Sequence, residues 1–430
     1  MRILYGVQGT GQGHISRARA MARSLSQWNV DVTWLFSGRP RERLFDMAPF
    51  GDFQHRPGLS FTTRAGRIDR LATLRDNNLT AFRRNVAELD LQGFDLVVTD
   101  FEPVTAWAAR RAGIRSVGIG HQYAFGKDTP KAGQSWLASR ILRHFAPADT
   151  NLGLHWHPYS DHILPPILDL PDCHVQAGDY LLVYLPFENQ DDVTALLRQQ
   201  SDHRFVQYSA EIFDALHGNV RRCRANVTGF KQHLAGCAGV ICNSGFELIS
   251  ECLHWDKPVL TKPLAGQMEQ SSNALALSQL GYASTMQELD KEQLQQWLAS
   301  PRHTPAIRFP DVADTLARWL ATGACAPPAL LAQRLWGSET SGAHKPVHGP
   351  MAAAAAIASI TSANSEILIN EVLVNPGGSA DDADDQNFEF IELISTTGGA
   401  EDTTGLALLI LDTNGGNIGR VEEAWSLDGV

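Results

Sequence analysis

The chain has 430 residues, 43% of them hydrophobic, with 36 Lys+Arg against 47 Asp+Glu and a formal net charge of −11. At roughly 100–200 residues per domain, that length allows two or three domains with real cores. The acidic balance gives no basic footprint for a nucleic acid, and no run of 18 apolar residues suggests a membrane span.

Arg2-Ile-Leu-Tyr-Gly-Val7 is a short apolar run that predicts a buried strand, and Gln8-Gly-Thr-Gly-Gln-Gly-His14 predicts a glycine-rich turn. A helix is expected from about Ile15 to Ser26, with Ala18, Met21, Ala22 and Leu25 at helical spacing. Glycines at 9, 11 and 13 permit close backbone approach, and His14 would face whatever enters the cleft. The turn fails the dinucleotide fingerprint. Gly11-x-Gly13 would need a glycine at 16 and finds Ser16; Gly9-x-Gly11 would need one at 14 and finds His14. No acid closes the second strand, about Asp31 to Phe36, so NAD is not expected.

Phe94–Thr99, a helix near Pro103–Ala112 and Ser116–Gly120 continue the alternation. The proline-rich segment from His157 to Asp172 reads as a hinge. Tyr180–Tyr184, a helix near Asp191–Gln199 and Arg204–Tyr208 then start a second series. Two βα series imply two parallel sheets covered by helices, with a ligand cleft at the carboxyl ends of their strands. The expected boundaries are 1–156 for the first domain, 157–175 for the hinge and 176–325 for the second domain. A linker is expected over 326–365 and a β segment over 366–430.

Ala238–Cys242 predicts a buried strand, followed by Asn243-Ser-Gly-Phe-Glu-Leu-Ile-Ser-Glu251. Strand, small turn at Ser244-Gly245 and helix leave free N–H groups that favour a phosphate. Glu251, about two turns in, could accept bonds from ribose hydroxyls, and Glu247, on the same face at i, i+4, is the rival donor ligand for that role. Gln267, Glu269, Gln270 and Asn273 form a cluster suited to gripping a polyol. Phosphate, ribose and sugar in sequence describe a nucleotide-sugar.

Gly9-x-Gly-x-Gly-His14 and Asn243-Ser-Gly…Glu251…Pro258…Pro263…Glu269-Gln270-x-x-Asn273 together resemble the GT-B glycosyltransferases, in pattern the MurG-like and UDP-glucuronosyltransferase-like families. The resemblance covers roughly residues 1 to 325 and implies two Rossmann-like domains facing across a cleft. Val227-Thr-Gly-Phe-Lys231 is similar to the segment that reads the base, which adds Phe230 to the donor contacts, with Gly11 and Gly13 opposite. The resemblance implies a nucleotide-sugar co-substrate, no resident cofactor, and a glycan, lipid-linked or small-molecule hydroxyl acceptor. His14 would be the general base. Asp100 would orient it, or would cap the helix that follows. His121 would line the acceptor side, or be a satisfied structural histidine. Glu247 and Glu251 are separated by three residues rather than the seven of retaining members, which points to inversion. No Asp-x-Asp stands at a strand end of the first domain, so no metal is implied. Leu185-Pro-Phe-Glu-Asn189 departs from the glycine- and serine-rich loop of MurG-like enzymes. A nucleotide-sugar 2-epimerase and a non-catalytic nucleotide-sugar-binding adaptor are the competing readings.

The transferase is expected in the cytoplasm, where Arg64, Arg67, Arg70, Arg75, Arg83 and Arg84 could touch anionic lipid or form a solvated helix face. Cys237, Cys242 and Cys252 lie in apolar contexts and read as buried, reduced thiols. The tail differs. Residues 337–430 hold 15 acids against Lys345 and Arg420, a net −13 that leaves +2 for the remainder. Gly337–Pro346 reads as a linker, and Met351–Ile360 resembles a degraded secretion signal. Strands are expected at Ile367–Leu373, Phe388–Leu393 and Leu406–Leu411. Ile369-Asn-Glu-Val with Asn387–Leu393 resembles the start of a lamin-tail domain, an immunoglobulin-like sandwich, here incomplete. Asp381–Asp385 reads as an acidic loop rather than a calcium site.

Overall fold

In the computed structural model the described residues are 1–60, 63–64, 67–68, 73, 75, 77–132, 144–300 and 307–337, with the backbone of four strands between 367 and 426. The chain divides into two units, Met1–His344 and Lys345–Val430.

The first unit holds two seven-stranded sheets. The first contains β1 (Arg2–Gln8), β2 (Asp31–Ser37) and β3 (Gln54–His55). Beside them, β4 (Thr63–Arg64) and β5 (Arg67–Ile68) form a separate antiparallel hairpin. The first sheet continues with β6 (Leu96–Asp100), β7 (Ser116–Gly120), β8 (Thr150–Leu154) and β9 (Ile163–Leu164). Its order is β3-β2-β1-β6-β7-β8-β9, every pair parallel. Strand order reverses at β1, and the crevice between β1 and β6 opens at their carboxyl ends. The helices are α1 (Gln12–Leu25), α2 (Leu79–Glu88) and α3 (Pro103–Ala112). Helix α1 starts three residues before the sequence suggested, so His14 lies in its first turn. Extended Gly11 is the N-cap, and Ile15, Ala18, Met21 and Leu25 form the buried stripe.

The second sheet repeats the plan. It contains β10 (Tyr180–Tyr184), β11 (Arg204–Ser209), β12 (Ala215–His217), β13 (Val220–Arg224), β14 (Gly239–Asn243), β15 (Val259–Lys262) and β16 (Ser284–Thr285). The order is β12-β13-β11-β10-β14-β15-β16, with only β12 antiparallel. Its helices are α4 (Gln190–Arg198), α5 (Val227–Gly236), α6 (Phe246–His254), α7 (Met268–Leu280) and α8 (Lys291–Ala299). The chain then returns to the first sheet. Helix α9 (Val312–Ala321) packs along α1, and α10 (Pro328–Gly337) packs on β8 and β9. Trp336 donates from Nε1 to the Ile163 carbonyl at 2.7 Å. Within the linker expected from 326, residues 328–337 are therefore helical. Leu331, Ala332 and Leu335 bury one face, and Pro328 suits a first helical position.

Just before the expected hinge, Trp156 is fully buried, donates to Ser250 Oγ at 2.8 Å and packs on Phe246. This ties the end of the first sheet to α6. Among the described residues no helix is long and apolar enough to cross a membrane. Arg83 and Arg84 are exposed on α2; Arg70 and the side chains of Arg64 and Arg67 lie outside the described residues. All six cysteines are free, and Cys237, Cys242 and Cys252 are buried.

In the second unit, β17 (Ile367–Val372) pairs antiparallel with β18 (Ile391–Ser395), and β19 (Ala407–Leu411) with β20 (Val421–Ser426). Three of these overlap the expected strands; β20 was not anticipated. Met351–Ile360, Asp381–Asp385 and the linker beyond Gly337 lie outside the described residues.

Candidate functional site

The first sheet delivers a histidine–carboxylate pair. Gln8, at the end of β1, donates to Thr10 Oγ1 at 2.7 Å and to the Leu59 carbonyl at 2.8 Å, which pins the glycine turn. His14 follows in the first turn of α1. Its Nδ1–H donates to Asp100 Oδ1 at 2.7 Å, and Asp100, the last residue of β6, is fully buried. An ionised carboxylate only accepts, so this bond puts the lone pair of the neutral ring on Nε2.

The helix cap that the sequence also offered to Asp100 belongs to Glu102. Phe101 takes a left-handed backbone, φ +52°, that turns the chain between them. Glu102 accepts from the Val104 and Thr105 amides at 2.8 and 2.7 Å and from Ser37 Oγ at 2.6 Å. Burial pushes its carboxyl above the ordinary range.

Arg17 was not singled out from sequence, yet it sits at the centre of this cluster. It is 1% exposed, donates from Nε to Asp100 Oδ2 at 2.9 Å and pairs through Nη2 with Asp100 Oδ1. Nη2 also lies 2.9 Å from His14 Nδ1. Burial acts to raise the Asp100 carboxyl, but Arg17 and His14 together hold it below the usual range. The available signal was spacing: Arg17 is at i+3 from His14, hence on its face of the helix.

The second sheet presents a helix start. Beyond β14, Ser244 is buried, with Oγ 2.9 Å from Thr261 Oγ1, and Gly245 is the N-cap of α6. Among the described residues no side chain caps this helix. Glu247 and Glu251 share a face but take different partners, Arg17 for Glu247 and Lys231 of α5 for Glu251. Burial pushes the Glu251 carboxyl up against the pull of the Lys231 ammonium. Phe230 packs edge-on against Tyr184 and Tyr208. A cavity of ≈ 110 Å³ lies between the sheets here, lined by Gln12, Gly13, Tyr184, Phe230, Glu247 and Glu251 among others.

The remaining predicted ligands divide. Glu269, at the start of α7, accepts from Gln122 Nε2 at 3.0 Å, and that nitrogen lies 3.5 Å from His14 Nε2. The Oε1 atoms of Gln267 and Gln122 are buried without a partner among the described residues. Gln122, also missed from sequence, thus connects the histidine to the polyol segment. Gln270 and Asn273 are turned inward instead. Gln270 Oε1 accepts from the Leu264 amide at 2.8 Å, and Asn273 donates to the Ser244 carbonyl at 3.0 Å.

His121 lines no surface. It is fully buried, stacked on Phe246 at 4.0 Å, with its nitrogens 2.8 Å from the Leu154 carbonyl and 2.6 Å from Asn273 Oδ1. These bonds join the two sheets. The loop from Leu185 to Asn189 carries a buried ion pair, Glu188 with Lys262 at 2.7 Å, while Asn189 caps α4. Among the described residues no group of three or more His, Cys, Asp or Glu side chains could hold a metal ion.

Residues 1–301 match the family model described as glycosyl transferase family 1. No curated protein matches the chain significantly. Solved structures similar to it include the glycosyltransferase SnogD from Streptomyces nogalater, at 17% identity over 79% of this chain and 99% of that one, TM-score 0.44. Another is Streptomyces sp. SF2575 glycosyltransferase SsfS6 complexed with thymidine diphosphate, at 14% identity, 79% and 100% coverage and TM-score 0.47. The rhamnosyltransferase SpnG complexed with spinosyn aglycone matches at 13% identity, 78% and 100% coverage and TM-score 0.45.

Proposed function

The chain belongs to glycosyl transferase family 1, and from that premise we propose that it transfers a sugar from a nucleotide-sugar to a hydroxyl acceptor with inversion, His14 acting as base. The observation that carries this reading is the His14–Asp100 bond at 2.7 Å, set where the glycine turn meets the start of α6. Asp100 orients the ring and stabilises the imidazolium that forms. Nε2 takes the acceptor's proton as the hydroxyl oxygen attacks the anomeric carbon. The bond from that carbon to the phosphate oxygen breaks, and its electron pair leaves with the diphosphate. The uncapped amides and dipole of α6 receive that charge, so no metal is required.

Around this centre, Glu251 faces the ribose, and Phe230 with the start of α5 flanks the base. Gln267 and Glu269 contact the sugar. Gln270 and Asn273 support that segment from behind. The acceptor is a hydroxyl-bearing small molecule that approaches on the first sheet's side.

The test is initial-rate transfer with His14→Ala. A positioned general base is worth about 10²–10⁴-fold, so kcat should fall by that factor while nucleoside diphosphate affinity is unchanged. An active variant would remove His14 from the chemistry.

A further inference from the structure

In the proposed reaction the first turn of α6 seats the leaving diphosphate, and the inference here rests on that reading. This seat already holds an anion. Glu247, the second residue of α6, points its carboxylate across to the first sheet and accepts from Arg17 Nη1. Its Oε2 would collide with a Cβ placed on Gly13. The carboxylate therefore fills the gap between the glycine turn and the helix start, and the absence of a side chain at residue 13 makes room for it. A carboxylate is stabilised there by the helix dipole, as a phosphate would be.

The two partners differ in freedom. The Arg17 side chain is 1% exposed and is fixed by two bonds to Asp100, whereas that of Glu247 is 17% exposed. The nearby ammonium groups of Lys231 and Lys262 are engaged with Glu251 and Glu188. Arg19, which also lines the cavity, pairs with Asp169, so Arg17 is the cation paired across to the start of α6, and Glu247, its more exposed partner, is the group that can leave.

We propose that Glu247 is a built-in stand-in for the donor's diphosphate. Donor binding displaces its carboxylate and hands the Nη1 edge of Arg17 to a phosphate oxygen. Carboxylate and diphosphate repel each other at one helix start, so the donor binds only as Glu247 swings out. Displacing it lowers the apparent affinity by the fraction of open states. Arg17 becomes a positioning residue with two roles. One edge holds Asp100 beneath His14; the other reports that a diphosphate is in place.

The test is calorimetric titration of the full chain with UDP, dTDP and GDP, each against its nucleoside, for wild type, Glu247→Gln and Glu247→Ala. Melting curves verify that both variants are folded. Both variants should bind the nucleoside diphosphate about tenfold tighter, the ratio that corresponds to one freed charged contact, with nucleoside affinity unchanged. Unchanged or weaker diphosphate binding in both variants would overturn the stand-in role and leave the donor reading intact. Failure of every diphosphate to bind wild type would overturn both.

Discussion

Each of the two sheets ends a central strand in a turn that opens a helix, and the two helix starts are treated in opposite ways. After β6, Glu102 places both carboxylate oxygens on the amides of α3 and adds Ser37 and Thr105 hydroxyls, so that start is satisfied from within. After β14, α6 begins at Gly245 with no side-chain cap among the described residues, and the carboxylate of Glu247 beside it bonds Arg17 rather than the helix's own amides. Of these two helix starts, only that of α6 is left open to an anion. In the proposed reaction the phosphate goes to the helix start whose first-turn amides no side chain has used.

The comparison can be broken from either side. The largest effect is expected at Asp100, which keeps Arg17 neutralised in the first sheet. Asp100→Asn leaves a buried guanidinium with Glu247 alone, and breaking a buried pair costs about 3–5 kcal/mol. Urea unfolding followed by circular dichroism would measure that loss, and a change under about 1 kcal/mol would mean Arg17 finds other partners. Glu102→Ala removes the filled cap of α3. The expected cost is about 2 kcal/mol, from a lost cap and the hydroxyls left unpaired, again read from unfolding curves, with nucleoside diphosphate affinity unaltered. A drop in that affinity would show that the two helix starts are coupled.

Much of the architecture was legible locally. β1, its glycine turn and α1, and β14 with its turn and α6, are contiguous patterns whose period and punctuation are visible in a few residues. The tertiary partners were not. Asp100 stood open between cap and histidine partner because the deciding contact spans 86 residues. Arg17 looked like one basic residue among several on α1, since its acids are 83 and 230 residues away. His121 and Asn273 occupy positions that suit ligands, but their polarity serves a bond across 152 residues that joins the sheets. The expected linker took in Pro327 and Pro328, although proline equally opens a helix, as Pro328 does at α10.

The central claim is that α6 is kept uncapped for the donor's diphosphate, and Gly245→Asp tests it most directly. A Cβ at 245 meets nothing within 4 Å, so the new side chain fits and can cap the helix as Glu102 caps α3. Calorimetry of UDP, dTDP and GDP against wild type and this variant should show one of them binding wild type and binding the variant about tenfold more weakly, with the melting temperature maintained. Equal affinity in a folded variant would contradict the account and place the diphosphate elsewhere.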